Sequence, residues 1–235
     1  MQKKKNPLLE LPDDRQLLKT ISFWHDLSPE ALEVLVCHCV IRKHPSSQVI
    51  LLENDWGGSV YFILDGWVKI RTYNPEGKEI TLNIIGKGEL FGEMAALDEK
   101  PRSTDAITLT ETTIASLPAH DFIELVEQEA KIAVRLSQIM AKRLRQVNRR
   151  LQLREADSMA RVADSILFLA EGQGIETKGA IQIPNLPHRE ISSLCGLARE
   201  TVTRVLTKLE KNGFIQREKD FISIPSLSNL KNIIQ

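Results

Sequence analysis

The sequence predicts an α+β fold: an N-terminal antiparallel β-roll, a long helix, and a C-terminal helical unit closed by a two-stranded wing. Three observations predict it. Between residues 40 and 118, short alternating or apolar runs are cut by turn residues at a spacing suited to antiparallel strands rather than βαβ units. Residues 130–154 contain neither Gly nor Pro and are dense in strong helix formers, enough for about seven turns. Beyond them, two short helix-forming runs flank Gly196, and 214–217 and 221–224 flank a charged tip, Glu218-Lys219-Asp220.

Length and composition bound the function. A chain of 235 residues suits two domains, each with its own core. Lys plus Arg equals Asp plus Glu at 31 each, so only local clustering can argue for a polyanionic partner. The basic start MQKKKNPLLELPDD lacks the apolar run of a signal peptide, and no segment approaches a transmembrane span, so no membrane partner is expected. Cys37, Cys39 and Cys195 are too few and too scattered for a disulfide framework, which points to a reduced, cytoplasmic protein. Cys37-His38-Cys39 lacks a second ligand cluster at metal-site spacing and reads as buried helix thiols, so no metal is expected. The five His are scattered, with no Ser/His/Asp set and no nucleotide-triphosphate loop, so the chain is not expected to be an enzyme.

Each element has a local cause. Residues 1–12 read as an arm. Ser28-Pro29-Glu30 starts a helix that runs to about Cys39, with Ser as N-cap, Pro in the first turn and an acid at the positive end. Candidate strands are 49–52, 60–64, 67–73, 79–85, 105–109 and 113–117. Gly57-Gly58, Asp65-Gly66, Asn74-Pro75-Glu76-Gly77 and Gly86-Lys87-Gly88 supply the turns. A short helix at 120–128 feeds the long one. A helix at 156–171, a strand at 181–183, and helices at 188–194 and 199–211 follow.

In the long helix, Met140, Leu144, Val147 and Leu151 recur at spacings of four, three and four, the seam of a coiled coil. So narrow a stripe predicts pairing with a second copy, a parallel homodimer. The other faces carry Lys131, Arg135, Lys142, Arg143, Arg145, Arg149, Arg150 and Arg154 without one acid. Two such helices side by side repel unless anions sit nearby, whether acidic side chains or a charged ligand.

The stretch LFGEMAALDEKPRSTDAI suggests a sugar-phosphate pocket. Gly92 lets the backbone approach a ligand, and Glu93 opens a helical turn and offers oxygens to sugar hydroxyls. Met94 and Ala95 continue that turn. Arg102 presents a planar fork to phosphate oxygens, and Ser103 adds a hydroxyl and an N–H.

The second signal is HREISSLCGLARETVTRVLTKLEKNG. On a helix, Arg199, Glu200, Thr203 and Arg204 fall within an arc of roughly 140° at about 100° per residue, while Val202, Leu206 and Leu209 face away to pack. That arc offers two Arg for guanine edges, a Glu for a cytosine amino group, and a Thr for a phosphate or thymine methyl. Arg189 and Lys208 suit phosphates, which position without specifying. Bases outnumber acids seven to four between Pro187 and Lys219, a moderately basic face.

The word FGE-x-A-x-L…PRS resembles the phosphate-binding cassette of cyclic-nucleotide-binding domains. With the seam helix and RETVTR, the whole chain resembles the CRP/FNR family of transcription regulators over nearly its full length. The resemblance implies three parts: 1–129, a cyclic-nucleotide-binding β-roll with flanking helices; 130–154, a dimerisation helix; and 155–235, a winged helix-turn-helix that binds DNA. It implies that Glu93 holds the ribose 2′-hydroxyl and that Arg102, assisted by Ser103, pairs with the cyclic phosphate. It also implies a ligand lying against the long helix and supplying an anion to its cations, a palindromic double-stranded DNA site, and RNA polymerase as partner. Where the best-known cyclic-AMP receptors place a Thr-Ser pair, this chain has Val147 and Asn148. Asn148 can read adenine N6 and N7, whereas Arg143 can instead grip guanine O6 and N7. Cyclic AMP is the favoured effector and cyclic di-GMP the second. From another class, the alternative is a cyclic-nucleotide-binding regulatory subunit of an enzyme.

Overall fold

The N–H of Ala31 donates to the Ser28 side chain at 3.1 Å, and Pro29 occupies the first turn, so α1 (Pro29–His38) begins where its capping residues require. The computed structural model describes residues 17–177 and 179–234, the side chain of Val34 excepted; the arm at 1–12 lies outside them. The remaining elements are β1 (Val40–His44), β2 (Val49–Leu51), β3 (Ser59–Asp65), β4 (Trp67–Tyr73), β5 (Glu79–Gly86), β6 (Leu90–Phe91), α2 (Glu93–Asp98), β7 (Asp105–Thr108), β8 (Thr112–Pro118), α3 (Ala119–Gln128), α4 (Ala130–Gln152), α5 (Ser158–Gln173), β9 (Ile175–Thr177), β10 (Ala180–Pro184), α6 (His188–Cys195), α7 (Arg199–Lys211), β11 (Gln216–Arg217), β12 (Phe221–Ile224) and α8 (Leu227–Asn232). The chain divides into two compact units. One takes the residues up to Val68 with Gly86–Gln138, the other Lys69–Ile85 with Ile139 onward.

The first unit is built on a sheet of order β1-β8-β3-β6, antiparallel throughout, with Val40 opposite Ser116 and Tyr61 opposite both Ser116 and Phe91. A second ladder pairs β2 with β7 across a register shift between Val49 and Leu51. Its core is aromatic: Trp24 lies 4.4 Å from Phe62 and 4.7 Å from Phe23, ring centre to ring centre, and Phe122 of α3 closes the cluster. All four rings are buried, and area of this kind supplies most of the drive to fold.

In the second unit, β4 and β5 form a hairpin whose turn is closed by Gly77 N–H donating to the Asn74 carbonyl at 2.9 Å, with Gly77 at φ 76°. A sheet of order β11-β12-β10-β9 and the helices α6, α7 and α8 pack on α5. The core holds Ile166, Leu169, Val202, Leu206, Leu209, Ile222, Ile224 and Leu230, so the apolar side of α7 is buried as its sequence pattern requires.

Some expectations need correction. β1, β6 and β9 were not among the expected strands. β1 reads VIRKH and leaves Val40 exposed, a charged edge rather than a buried alternation, and β6 has two residues. The strand expected at 214–217 is reduced to Gln216–Arg217, and α8 was not foreseen. Cys37 is exposed, contrary to the reading of buried helix thiols, whereas Cys39 is buried at the C-cap of α1.

Candidate functional site

The cassette between β6 and β7 converges on Arg102. Its backbone is clamped on both sides: its N–H donates to the Asp55 carbonyl and its own carbonyl accepts from Asn54 N–H, each at 2.8 Å. The side chain, 3% exposed, turns inward, Nη1 donating to the Gly92 carbonyl at 2.5 Å and Nη2 to the Ser59 carbonyl at 2.7 Å. The guanidinium lies 5.8 Å from the Tyr61 ring centre. Nε has no hydrogen-bond partner among the described residues.

Two glycines make room for this cradle. A Cβ on Gly57 would lie 2.4 Å from Arg102 Nη2, and one on Gly92 would lie 2.8 Å from Nη1. Gly92 also sits at φ 79°, which a side chain would strain. Burial pulls the Arg102 pKa below its ordinary value, with Tyr61 and Glu93 opposing. Glu93, 3% exposed, opens α2 beside it. A desolvated cation with an unused N–H is a receptor for an anion, because a phosphate offers it charge and acceptors together. Ser103 is exposed, its Oγ 3.9 Å from Met94 Sδ; Met94 is itself exposed and Ala95 half-buried. The sequence reading missed Gly57, Ser59 and Tyr61: the glycine pair signalled only a turn, and the other two sit inside a strand.

The remaining expected ligand residues are on α4, in the second unit. Arg143 is half-buried, and Val147 and Asn148 are exposed. Two of the α4 cations find acidic side chains, one of the two anion sources that the sequence leaves open. Arg135 pairs with Asp26 and donates to the Ser22 carbonyl. Arg149 pairs with Asp164 and, at 3.1 Å, with Glu171. Lys142 donates to the Glu171 carbonyl at 2.8 Å, and Arg150 stacks 4.0 Å over Phe168, burial lowering its pKa to about 10 against the pull of Asp164. Of the seam residues, Leu144, Val147 and Leu151 are 61%, 49% and 64% exposed in the single chain, and Met140 is half-buried.

On the helix-turn-helix, Gly196 takes φ 65° to end α6, and the Ser192 side chain locks the turn by donating to the Leu197 carbonyl at 2.6 Å. One face of α7 gathers Arg199, Glu200, Thr203, Arg204 and Lys208, joined by Thr207, Lys211 and Asn212, which the sequence reading did not select. Thr203 Oγ1 donates back to the Arg199 carbonyl at 3.0 Å and lies 2.8 Å from His188 Nδ1. Arg189 lies outside this face, exposed, with Nε donating to Glu190 at 2.9 Å. No helix among the described residues is long and apolar enough to cross a membrane.

Comparison with known proteins places both faces in recognised modules. Residues 41–129 match the cyclic nucleotide-binding domain and residues 160–233 the Crp-like helix-turn-helix domain. The chain is 30% identical over 218 residues to the cyclic AMP receptor protein of Thermus thermophilus, spanning 92% of this chain and 98% of that protein. It is 30% identical to the CRP-like cAMP-activated global transcriptional regulator of Mycobacterium tuberculosis, covering 92% and 97% of the two chains. The crystal structure of a CRP/FNR-family transcriptional regulator from Thermus thermophilus superimposes with a TM-score of 0.62 at 28% identity, covering 83% of this chain and 98% of that one.

Proposed function

Because this chain belongs to the CRP/FNR family of transcription regulators and carries a cyclic nucleotide-binding domain ahead of a Crp-like helix-turn-helix, we propose that its effector is cyclic AMP and that it acts as a homodimer on a palindromic site. Arg102 carries this reading: a buried cation with an unused N–H, seated in space that two glycines leave for its guanidinium. Arg102 pairs with the cyclic phosphate, Ser103 assists, and Glu93 accepts from the ribose 2′-hydroxyl, with Gly92, Met94 and Ala95 forming the rest of the cassette. Asn148 reads the adenine edge, and Val147 serves the seam. The seam residues of α4 pair with those of a second copy, whose like face buries them.

On the DNA side, Arg199, Glu200 and Arg204 read bases, Thr203 meets a phosphate or a thymine methyl, and Arg189 and Lys208 hold phosphates. The effector acts by binding the DNA-competent state more tightly, which shifts the population toward it. RNA polymerase is the proposed further partner and the cytoplasm the proposed compartment. A second reading keeps the same architecture with cyclic di-GMP as effector. It is favoured by Val147 and Asn148 in place of a Thr-Ser pair, and by Arg143 one turn away. Titration of the purified protein with cyclic AMP, cyclic GMP and cyclic di-GMP, read by operator binding, tests the choice. Cyclic AMP acting at the lowest concentration supports the first reading, and cyclic di-GMP doing so replaces it with the second.

A further inference from the structure

His38 is the last residue of α1 and His120 lies in the first turn of α3, far apart in sequence, yet they flank one carboxylate. His38 Nδ1 lies 3.0 Å from Asp121 Oδ2, and His120 Nδ1 lies 3.4 Å from Asp121 Oδ1. Glu124, further along α3, joins His120 and Asp121: ligand atoms of these three all lie within 4.8 Å of one another, and His38 meets the group at Asp121. Cys37-His38-Cys39, dismissed from sequence for want of a second ligand cluster, has one here at its central residue.

We propose that His38, His120, Asp121 and Glu124 form a zinc site that clips the end of α1 to the start of α3. The donor chemistry selects the ion. Two imidazoles and two carboxylates suit a borderline cation such as Zn²⁺, whereas Mg²⁺ prefers oxygen ligands and retained waters. Spacing agrees with that choice, since tetrahedral bonds of about 2.0 Å put neighbouring ligand atoms about 3.3 Å apart. The two His–Asp distances, each to a different Asp121 oxygen, are close to that edge, so binding exchanges those contacts for metal bonds once the carboxylate turns one oxygen toward both rings. Each helix end also carries the complementary group: Asp121 lies in the positive first turn of α3 and His38 at the negative end of α1. Phe122, buried between these ligands in sequence, and the packing of both helices on β8 hold the frame. The site is separate from the Arg102 cradle and needs no nucleotide.

The test is calorimetry of the full-length, chelator-treated protein with zinc chloride and, separately, magnesium chloride. One zinc per chain and no magnesium binding are expected. His38→Gln and His120→Gln should each weaken zinc by at least about tenfold, the loss of one of four ligands. Zinc should raise the melting temperature of the wild type and not of His120→Gln. Both variants should keep the parent melting temperature without zinc, which separates loss of a ligand from loss of the fold. Unchanged zinc affinity in either His variant overturns the four-ligand set. So does equal binding of magnesium, or loss of binding confined to Cys37→Ser, which would place the ion on the exposed thiol.

Discussion

Lys69 of β4 places its Nζ 3.0 Å from Oε2 of Glu190 on α6, with only 10% and 4% of the two side chains exposed. The same ammonium donates to Glu79 at 2.8 Å, and Arg189 holds the other Glu190 oxygen. Thr81 Oγ1 donates to Ser193 Oγ at 2.7 Å, so the β4–β5 hairpin grips the first helix of the DNA-binding motif at two points. Removing one partner of a buried pair leaves the other charge stranded, which costs about 3–5 kcal/mol, whereas removing both together costs far less. Lys69→Met should therefore lower the urea midpoint sharply, at a cost toward the low end of that range because Arg189 remains. Lys69→Met with Glu190→Leu should recover much of the loss. Equal, additive losses in the double-mutant cycle would mean that the two charges do not interact.

His188 gives the stability a pH dependence. Burial first, then Arg217 and Arg199, hold its imidazole below the ordinary value of 6.5. The folded state thus binds fewer protons here than the unfolded chain. This contribution is fully present above the unfolded pKa and is lost as the pH falls through the folded one. Melting temperatures of the wild type should decline between about pH 7 and about pH 5 more steeply than those of His188→Gln. Parallel curves would remove His188 as the cause.

Arg199→Ala and Glu200→Ala should each relax preference at one operator position by about 1–3 kcal/mol, measured by binding to single-base variants of the site. Lys208→Ala should weaken all sequences alike and reduce the salt slope by about 1. A Lys208 variant that alters base preference would reverse these roles.

Leu144 and Leu151 expose more than half of their surface in one chain, a cost that a second copy removes. Leu144→Asp with Leu151→Asp should yield a monomer in sedimentation at concentrations where the parent is dimeric. A wild type that sediments as a monomer contradicts the homodimer directly.

What the sequence made legible was local. Ser28 before Pro29, the Gly196 turn and the helical arc from Arg199 to Arg204 carry their causes within a few residues, and the described elements follow them closely. What stayed hidden depends on distant pairing. Nothing near Arg149 announces Asp164 and Glu171, and nothing near Arg102 announces the carbonyl of Ser59, 43 positions earlier. Gly57 signalled a turn correctly, but its closeness to Arg102 arises only when the backbone of residues 54–55 pairs with that of Arg102. β1 escaped notice because an edge strand with Arg42, Lys43 and His44 carries no buried alternation.

Calorimetry of cyclic AMP with the wild type, Arg102→Lys and Arg102→Leu tests the central claim most directly. Arg102→Leu removes the hydrogen bonds that the guanidinium donates to the Gly92 and Ser59 carbonyls, about 1.5–3 kcal/mol of stability for each, so the titration belongs well below that variant's melting point. The account predicts one site per chain in the wild type, a loss of about 2–5 kcal/mol of affinity in Arg102→Leu, and an intermediate loss in Arg102→Lys, which keeps the charge without the fork. A folded Arg102→Leu protein that binds cyclic AMP as tightly as the wild type would contradict it.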